Sequence, residues 1–301
     1  MTDSHQGRLV EEKNGYGVIE CGACGFTHLD PIPAREALGA IYPSAYYETE
    51  NPDWIQKTLG ERDYWMLIYG EQYDTFEHFI RTTPRRLLDV GAFLGLFLEY
   101  GRQRGWDTIG IEPSDVAVRF AAKQGLHVLH GFFDAFEDAA IGPVDVVNLA
   151  LTLEHVQDPA AVLARAHRLL RPGGLVCIEV PNDFNPLQGV LQRTLAKPRY
   201  WLAPPHHVNY FSFESLTRLV SRTGFEVVQR ETTFPMEFFV LMGDDYVGNE
   251  PVGRVCHAKR MSFETALIRG GLGEFKRELY RFMAERGVGR EVVLYARKRD
   301  E

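Results

Sequence analysis

The sequence predicts an α/β protein organised around a doubly wound, mainly parallel sheet, and three observations carry that expectation. Short apolar runs alternate with helix-length segments between Arg86 and Val180, the rhythm of βαβ units. The run Leu87-Leu88-Asp89-Val90 ends in a glycine-bearing turn, Gly91-Ala92-Phe93-Leu94-Gly95, that leads straight into a helical pattern. Helix start and stop signals also fall where the rhythm needs them: Ser114 before Asp115, Asp158 before Pro159, and Pro172-Gly173-Gly174 as a stop. With 301 residues, 45% of them hydrophobic, the chain suffices for one large core with appendages or for two modest domains.

Taken in order, residues 1–84 read as an N-terminal appendage rich in turn formers and aromatics, with Cys21-Gly22-Ala23-Cys24-Gly25 early and an aromatic stretch from Tyr42 to Tyr47. From Asp53 to Arg81 apolar residues recur at three- and four-residue steps, which predicts one or two helices. Strands follow at Arg86 to Val90, Asp107 to Glu112, Leu126 to His130, Val144 to Leu151 and Leu175 to Val180. Helices are expected from Gly95 to Arg104, Ser114 to Gln124 and Asp158 to Leu170. The domain from 85 to 301 then carries insertions at about 181–211 and 233–289. Between and after these insertions lie a helix capped by Ser212, a strand from Phe225 to Thr232 and a last strand from Glu291 to Arg297.

Composition narrows the function. Lys plus Arg number 33 against 41 Asp plus Glu, a net charge of −8, and no basic run could neutralise a row of phosphates, so no nucleic acid partner is expected. No apolar stretch approaches the ~20 residues that span a bilayer, and the polar start lacks a signal-peptide core, so a cytoplasmic protein without a membrane partner is expected. Four cysteines make no disulfide framework, and the Cys21/Cys24 pair reads as metal-type or redox-type chemistry.

The strand-turn-helix at Asp89 to Gly95 lets backbone approach a bound nucleoside closely. At the end of the next strand, Glu112 in Gly110-Ile111-Glu112-Pro113-Ser114 can accept hydrogen bonds from both ribose hydroxyls. A nicotinamide enzyme would carry Gly-x-Gly-x-x-Gly against a pyrophosphate, whereas the spacing here is Gly91-x-x-x-Gly95.

These residues resemble the class I S-adenosylmethionine-dependent methyltransferase superfamily. Leu153-Glu154-His155-Val156-Gln157-Asp158-Pro159 and Leu169-Leu170-Arg171-Pro172-Gly173-Gly174-Leu175 are similar to that superfamily's fourth and fifth strand regions. His206-His207-Val208-Asn209-Tyr210-Phe211-Ser212 resembles the small-molecule branch known as methyltransferase domain 23, and the Glu-His element is similar to that of ubiquinone-biosynthesis O-methyltransferases. The resemblance implies a Rossmann-like sheet of seven strands, the last antiparallel, with a lid insertion. It implies S-adenosylmethionine as cofactor, S-adenosylhomocysteine as product, and O-methylation of a sugar, phenolic or other biosynthetic intermediate. The cofactor would lie against Asp89, Gly91, Ala92, Phe93, Gly95, Glu112, Pro113, Leu149 and Ala150, with Phe132 and Phe133 either flanking adenine or belonging to the core. A non-catalytic cofactor-binding scaffold, or a nucleotide-cofactor oxidoreductase, is the alternative, and a homodimer stays open.

Two departures from the family pattern matter. Phe93 stands where a glycine is usual, so the turn should take a conformation that a bulky residue tolerates. Leu151 replaces an acid that, with the Glu-His pair, could hold a divalent ion, so a magnesium requirement is not expected.

For catalysis, His155 is placed by the resemblance nearest the reacting methyl and could take a hydroxyl proton, or could be a helix-start residue held locally. Glu154 could be its structural partner or reach substrate; His206, His207 and Tyr210 form an acceptor-side candidate group, or a hydrogen-bonded hinge. His207 is the second catalytic candidate. The stretch Pro181 to Tyr210, with Tyr42 to Tyr47, is expected to act as a lid. Cys21 and Cys24 look like half of a zinc ribbon whose first cysteine pair is missing. His5, His28, Cys256 and His257 could complete the set only from long range, and a decayed ribbon is the alternative.

Overall fold

The computed structural model describes residues 5–34, 37–38 and 54–299, so the Tyr42 to Tyr47 part of the expected lid lies outside the described residues. Along the chain run β1 (Gly7–Lys13), β2 (Tyr16–Cys21), β3 (Phe26–Asp30), β4 (Arg86–Val90), β5 (Asp107–Glu112), β6 (Val128–His130), β7 (Val144–Ala150), β8 (Leu170–Pro181), β9 (Asn209–Tyr210), β10 (Phe225–Thr232) and β11 (Glu291–Lys298). They form a seven-stranded sheet of order β10-β11-β8-β7-β4-β5-β6, one strand of it antiparallel, and a four-stranded sheet of order β1-β2-β3-β9. This is the Rossmann-like methyltransferase arrangement expected from sequence.

The chain divides into two compact units. One comprises Pro33–Ile178, Val220–Val228 and Tyr295–Glu301, the other Met1–Ile32, Glu179–Leu219 and Gln229–Leu294. The helices Trp54–Gly60 and Arg62–Phe79 group with the first unit, where the fully buried Tyr73 packs its ring 4.8 Å from that of Phe97 and 5.5 Å from Trp106.

In that unit β4 lies between β5 and β7, parallel to both, with Leu88 opposite Ile109 and Val147. Residues 144–149 of β7 are all buried, the polar Asp145 and Asn148 among them, as befits a central strand covered on both faces. Capping follows the sequence signals. Ser114 Oγ accepts from the Ala117 N–H at 3.3 Å, and Asp158 Oδ1 accepts from the Ala161 N–H at 2.9 Å with Pro159 in the first turn. The Pro172-Gly173-Gly174 stop is displaced. Leu170 is already extended (φ −72°, ψ 135°), so the helix closes at Leu169 and β8 begins before the proline.

The other unit forms regular elements in two stretches that are rich in turn formers and prolines. The N-terminal turn-rich stretch is an antiparallel meander. Asn14 (φ 52°) and Gly15 (φ 81°) join β1 to β2, and both left-handed residues match the right-handed twist of the strands they connect. The proline-rich insertion contains a helix, Pro186–Leu195, started by a capping box: Asn185 Oδ1 accepts from the N–H groups of Leu187 and Gln188 (3.0 Å each), and Gln188 Oε1 accepts from the Asn185 N–H. The insertion ends in β9, whose Asn209 and Tyr210 pair with His28 and Thr27 of β3. Within Pro181 to Tyr210, the stretch expected to act as a lid, the chain thus forms a helix and the edge strand β9. The second insertion is helical, with segments Glu237–Leu241, Glu250–Leu267 and Gly273–Ala284.

Candidate functional site

The turn after β4 is tied to β5 by its own backbone, since Gly91 and Ala92 both donate N–H bonds to Ile111 O, at 2.8 and 3.1 Å. Gly91 (φ 84°) occupies a conformation side chains resist, and a Cβ there would press to 3.2 Å from Thr152 Oγ1. Gly95 (φ 74°) leads into the helix Leu96–Gln103, and its Cβ would sit 2.6 Å from Leu126 Cδ1.

Phe93 corrects an expectation. It does not take a conformation that suits bulky residues; its φ is 46°, in the region a glycine would use, at a cost of about 1–2 kcal/mol. Two features offset that cost. The Phe93 N–H donates to Glu112 Oε2 at 2.8 Å, and the ring packs against the Leu94, Leu96 and Ala117 cluster.

Glu112 is only 3% exposed. Its other oxygen, Oε1, accepts from the Ser114 N–H at 2.8 Å across Pro113. Burial pushes its carboxyl above the usual carboxylate range, against those two backbone donors and His130. Asp89, 4% exposed on β4, accepts at Oδ1 from Asn148 Nδ2 at 2.8 Å. Burial raises its carboxyl to about 7, with the Asn148 bond opposing and the charge of Glu112 adding. Asn148 was not singled out in the sequence. A lone amide inside the apolar strand Val144–Ala150 was the available signal, and its buried Oδ1 finds no hydrogen-bond donor among the described residues.

The end of β7 forms the facing turn. Leu149 is buried, Ala150 half-buried, and Leu151 (φ 48°) is exposed in a second left-handed, non-glycine conformation. Thr152 Oγ1 donates within reach of Val90 O (2.9 Å) and Ala150 O (3.0 Å), fixing this turn to the end of β4. Strained positions held by a specific hydrogen-bond frame at adjacent strand ends are characteristic of ligand sites. Glu154 is buried and its Oε1 lies 3.6 Å from His155 Nε2, so the acid can orient the half-buried imidazole. Beyond β6, Phe133 is buried with the Arg165 guanidinium 4.4 Å from its ring centre, and Arg165 also donates to the Phe133 and Phe136 carbonyls. Phe133 is therefore a core residue, while neighbouring Phe132 is 38% exposed.

The remaining candidates belong to the other unit. Tyr210 sets its ring in a core with Val18, Leu29 and Leu202, and its hydroxyl accepts from the Ala203 N–H at 3.2 Å. Its ring is thus part of the framework that holds β9, and its hydroxyl keeps one hydrogen to donate. His206 and His207 precede β9, and the His207 N–H donates to Ala203 O at 2.9 Å. Cys21 closes β2 and Cys24 stands in the turn to β3, with His5 and His28 drawn to them; Cys256 instead packs with Met236 and Phe239, and His257 meets Arg260 at 3.3 Å. A buried polar group also went unread in the sequence. Tyr200 Oη and Asn185 Nδ2 both reach Glu237 Oε1, at 3.4 and 3.3 Å, with Tyr246 Oη 3.5 Å from Tyr200 Oη.

Comparison with known proteins gives three findings. The family described as "Methyltransferase domain" matches residues 67–230. Among curated proteins, the ubiquinone biosynthesis O-methyltransferase of Aeromonas salmonicida is 39% identical over 104 residues, 33% of this chain and 44% of that protein. The Methylococcus capsulatus protein of the same name is 36% identical over 104 residues, with 33% and 44% covered. The match thus spans less than half the length of these relatives. Among solved structures, the plantazolicin methyltransferase BpumL, in complex with a monoazolic desmethylPZN analog and SAH, aligns with a TM-score of 0.53 at 16% identity, covering 88% of this chain and 96% of that one. At that identity the likeness concerns the fold.

Proposed function

The chain belongs to the methyltransferase-domain family, and from that premise we propose that it is an S-adenosylmethionine-dependent methyltransferase that methylates an oxygen of a small-molecule acceptor. The observation that carries this reading is the pair of buried carboxylates at the ends of adjacent parallel strands. Asp89 on β4 and Glu112 on β5 flank a glycine-bearing turn whose backbone is fastened to one of them.

The residues fit the cofactor. Each Glu112 oxygen accepts one backbone bond and retains capacity for a ribose hydroxyl. Asp89 keeps a second oxygen and Asn148 an unused acceptor, which together suit the ammonium of an amino acid tail. Gly91 allows backbone to approach without a side chain, and Phe132 offers an exposed ring to the adenine side. When bound, S-adenosylmethionine supplies an electrophilic methyl and a thioether leaving group. The chain's own part is alignment and, for a hydroxyl acceptor, removal of a proton. His155, oriented by Glu154, is the proposed base, taking that proton on a ring nitrogen. His206 and His207 remain proposed acceptor-side groups. A cytoplasmic location accords with this reading, and among the described residues no helix is long and apolar enough to cross a membrane.

Calorimetric titration with S-adenosylmethionine and with NAD tests the cofactor, and binding of NAD alone would refute the reading. Incubating metabolite extracts with enzyme and isotopically labelled cofactor, then searching by mass spectrometry for labelled methyl ethers, tests the transfer to oxygen. Label found only on nitrogen or carbon would overturn that part.

A further inference from the structure

We propose that His5, Cys21, Cys24 and His28 hold a single zinc ion that staples the N-terminal meander. One ligand atom from each of these four residues lies within 4.8 Å of every other. The sequence offered a Cys-x-x-Cys with four distant residues that could complete it; the sheet selects His5 and His28. Gly7 pairs with Cys21 across β1 and β2, and the Gly22 N–H donates to Gln6 O at 3.2 Å, which brings His5 over the turn. His28 reaches the same point from β3, four residues after Cys24.

The three distances from His5 are close to the edges of a tetrahedron. With Zn–N near 2.05 Å and Zn–S near 2.3 Å, ligand atoms should be about 3.4 Å apart for N···N and about 3.6 Å for N···S. His5 Nδ1 is 3.1 Å from His28 Nε2, 3.3 Å from Cys24 Sγ and 3.8 Å from Cys21 Sγ. The ring orientation is also set. His28 Nδ1 lies 2.7 Å from Leu29 O, and because a carbonyl only accepts, Nδ1 carries the hydrogen and Nε2 presents its lone pair to the cluster. The turn is built for thiolates as well: the Cys24 N–H points to Cys21 Sγ at 3.4 Å, a donor that stabilises a negative sulfur. On binding, the two thiols release their protons to solvent, and two thiolates with two neutral imidazoles balance the dication. Four protein ligands leave no open position, which makes the site structural.

The test uses the full chain without a histidine tag, purified under reducing conditions and analysed by plasma mass spectrometry. About one zinc per chain is expected. Replacing the metal with Co²⁺ should give a thiolate-to-cobalt charge-transfer band and tetrahedral d–d absorption. Cys24→Ser and His5→Ala should lower zinc content at least tenfold, and Cys256→Ser should leave it unchanged. Less than a tenth of an equivalent in wild-type protein from zinc-supplemented cells, with no cobalt spectrum, overturns the proposal. A Cys21–Cys24 disulfide in the purified chain, or full zinc retention by both ligand variants, overturns it too. The wild-type measurement decides the matter even if a variant fails to fold.

Discussion

The turn after β4 and the turn between β2 and β3 both gather polar groups around a point, by opposite routes. In the first, Asp89, the glycines and Glu112 come from two successive βα connections, and each takes its place from the chain immediately around it. In the second, His5 and His28 meet Cys21 and Cys24 only because strand register carries them there. A site assembled from consecutive units announces itself in sequence, whereas one assembled by cross-strand pairing shows only the fragment that happens to be contiguous. If the two sites are independent, each perturbation below should move one set of readouts and leave the other alone.

The largest effect is expected from His155. His155→Gln should lower turnover by about 10²–10⁴-fold, the range for losing a general base, with cofactor affinity and zinc content unchanged. Single-turnover kinetics with a cofactor titration would show this, and a parallel loss of affinity would instead make His155 part of the cofactor frame.

Next is Glu112→Ala, which removes the acceptor of the Phe93 and Ser114 N–H groups as well as the proposed ribose partner. Leaving such groups unmet costs about 1–3 kcal/mol each, so cofactor affinity should fall at least tenfold and the melting temperature should drop. Zinc content should hold. A variant that loses zinc along with cofactor would show the two sites to be coupled.

Asp89 gives a pH signature. Its carboxyl is raised from 3.8 to about 7, so across that window the folded chain holds a proton that the unfolded chain has released. Its contribution to stability is therefore full below the lower value, falls as pH rises through the window and levels off above about 7. A cationic ligand group favours the ionised form, so cofactor affinity should rise from pH 5.5 to about 7. Calorimetry on Asp89→Asn should give a flat profile over the same range.

The smallest effect isolates backbone strain. At Phe93, glycine should be more stable than alanine by about 1 kcal/mol, the reverse of the usual order, because only glycine adopts φ 46° freely. Denaturant melts of Phe93→Gly and Phe93→Ala measure it, and the usual order would mean that the turn relaxes without the ring.

Strands β4 to β7 and their helix caps were legible because apolar runs and capping residues act locally, as Ser114 and Asp158 do. The meander was missed although Asn14-Gly15 is a strong hairpin signal, because β1 reads Gly-Arg-Leu-Val-Glu-Glu-Lys and three of its charged residues obscure alternation. The Asn185…Gln188 capping box was hidden in the same way by the prolines around it. Phe93 was misjudged because a carboxylate on another strand, not the residue's own preference, sets its conformation. The bond from the Ala203 N–H to Tyr210 Oη was not legible either, because it depends on how the turn before β9 folds back.

The pairing of β3 with β9 has a temporal consequence. Thr27 and His28 find their partners in Tyr210 and Asn209, some 180 residues later in the chain. At 5–20 residues per second on a ribosome, β3 is exposed to the nascent-chain environment with one side unpaired for roughly 10–40 seconds, long enough for an open strand to find a wrong partner. An ion captured by the first 28 residues would close the meander during that wait, so a zinc-starved cell should lose this protein chiefly during its synthesis, as newly made chains aggregate before their last strands arrive.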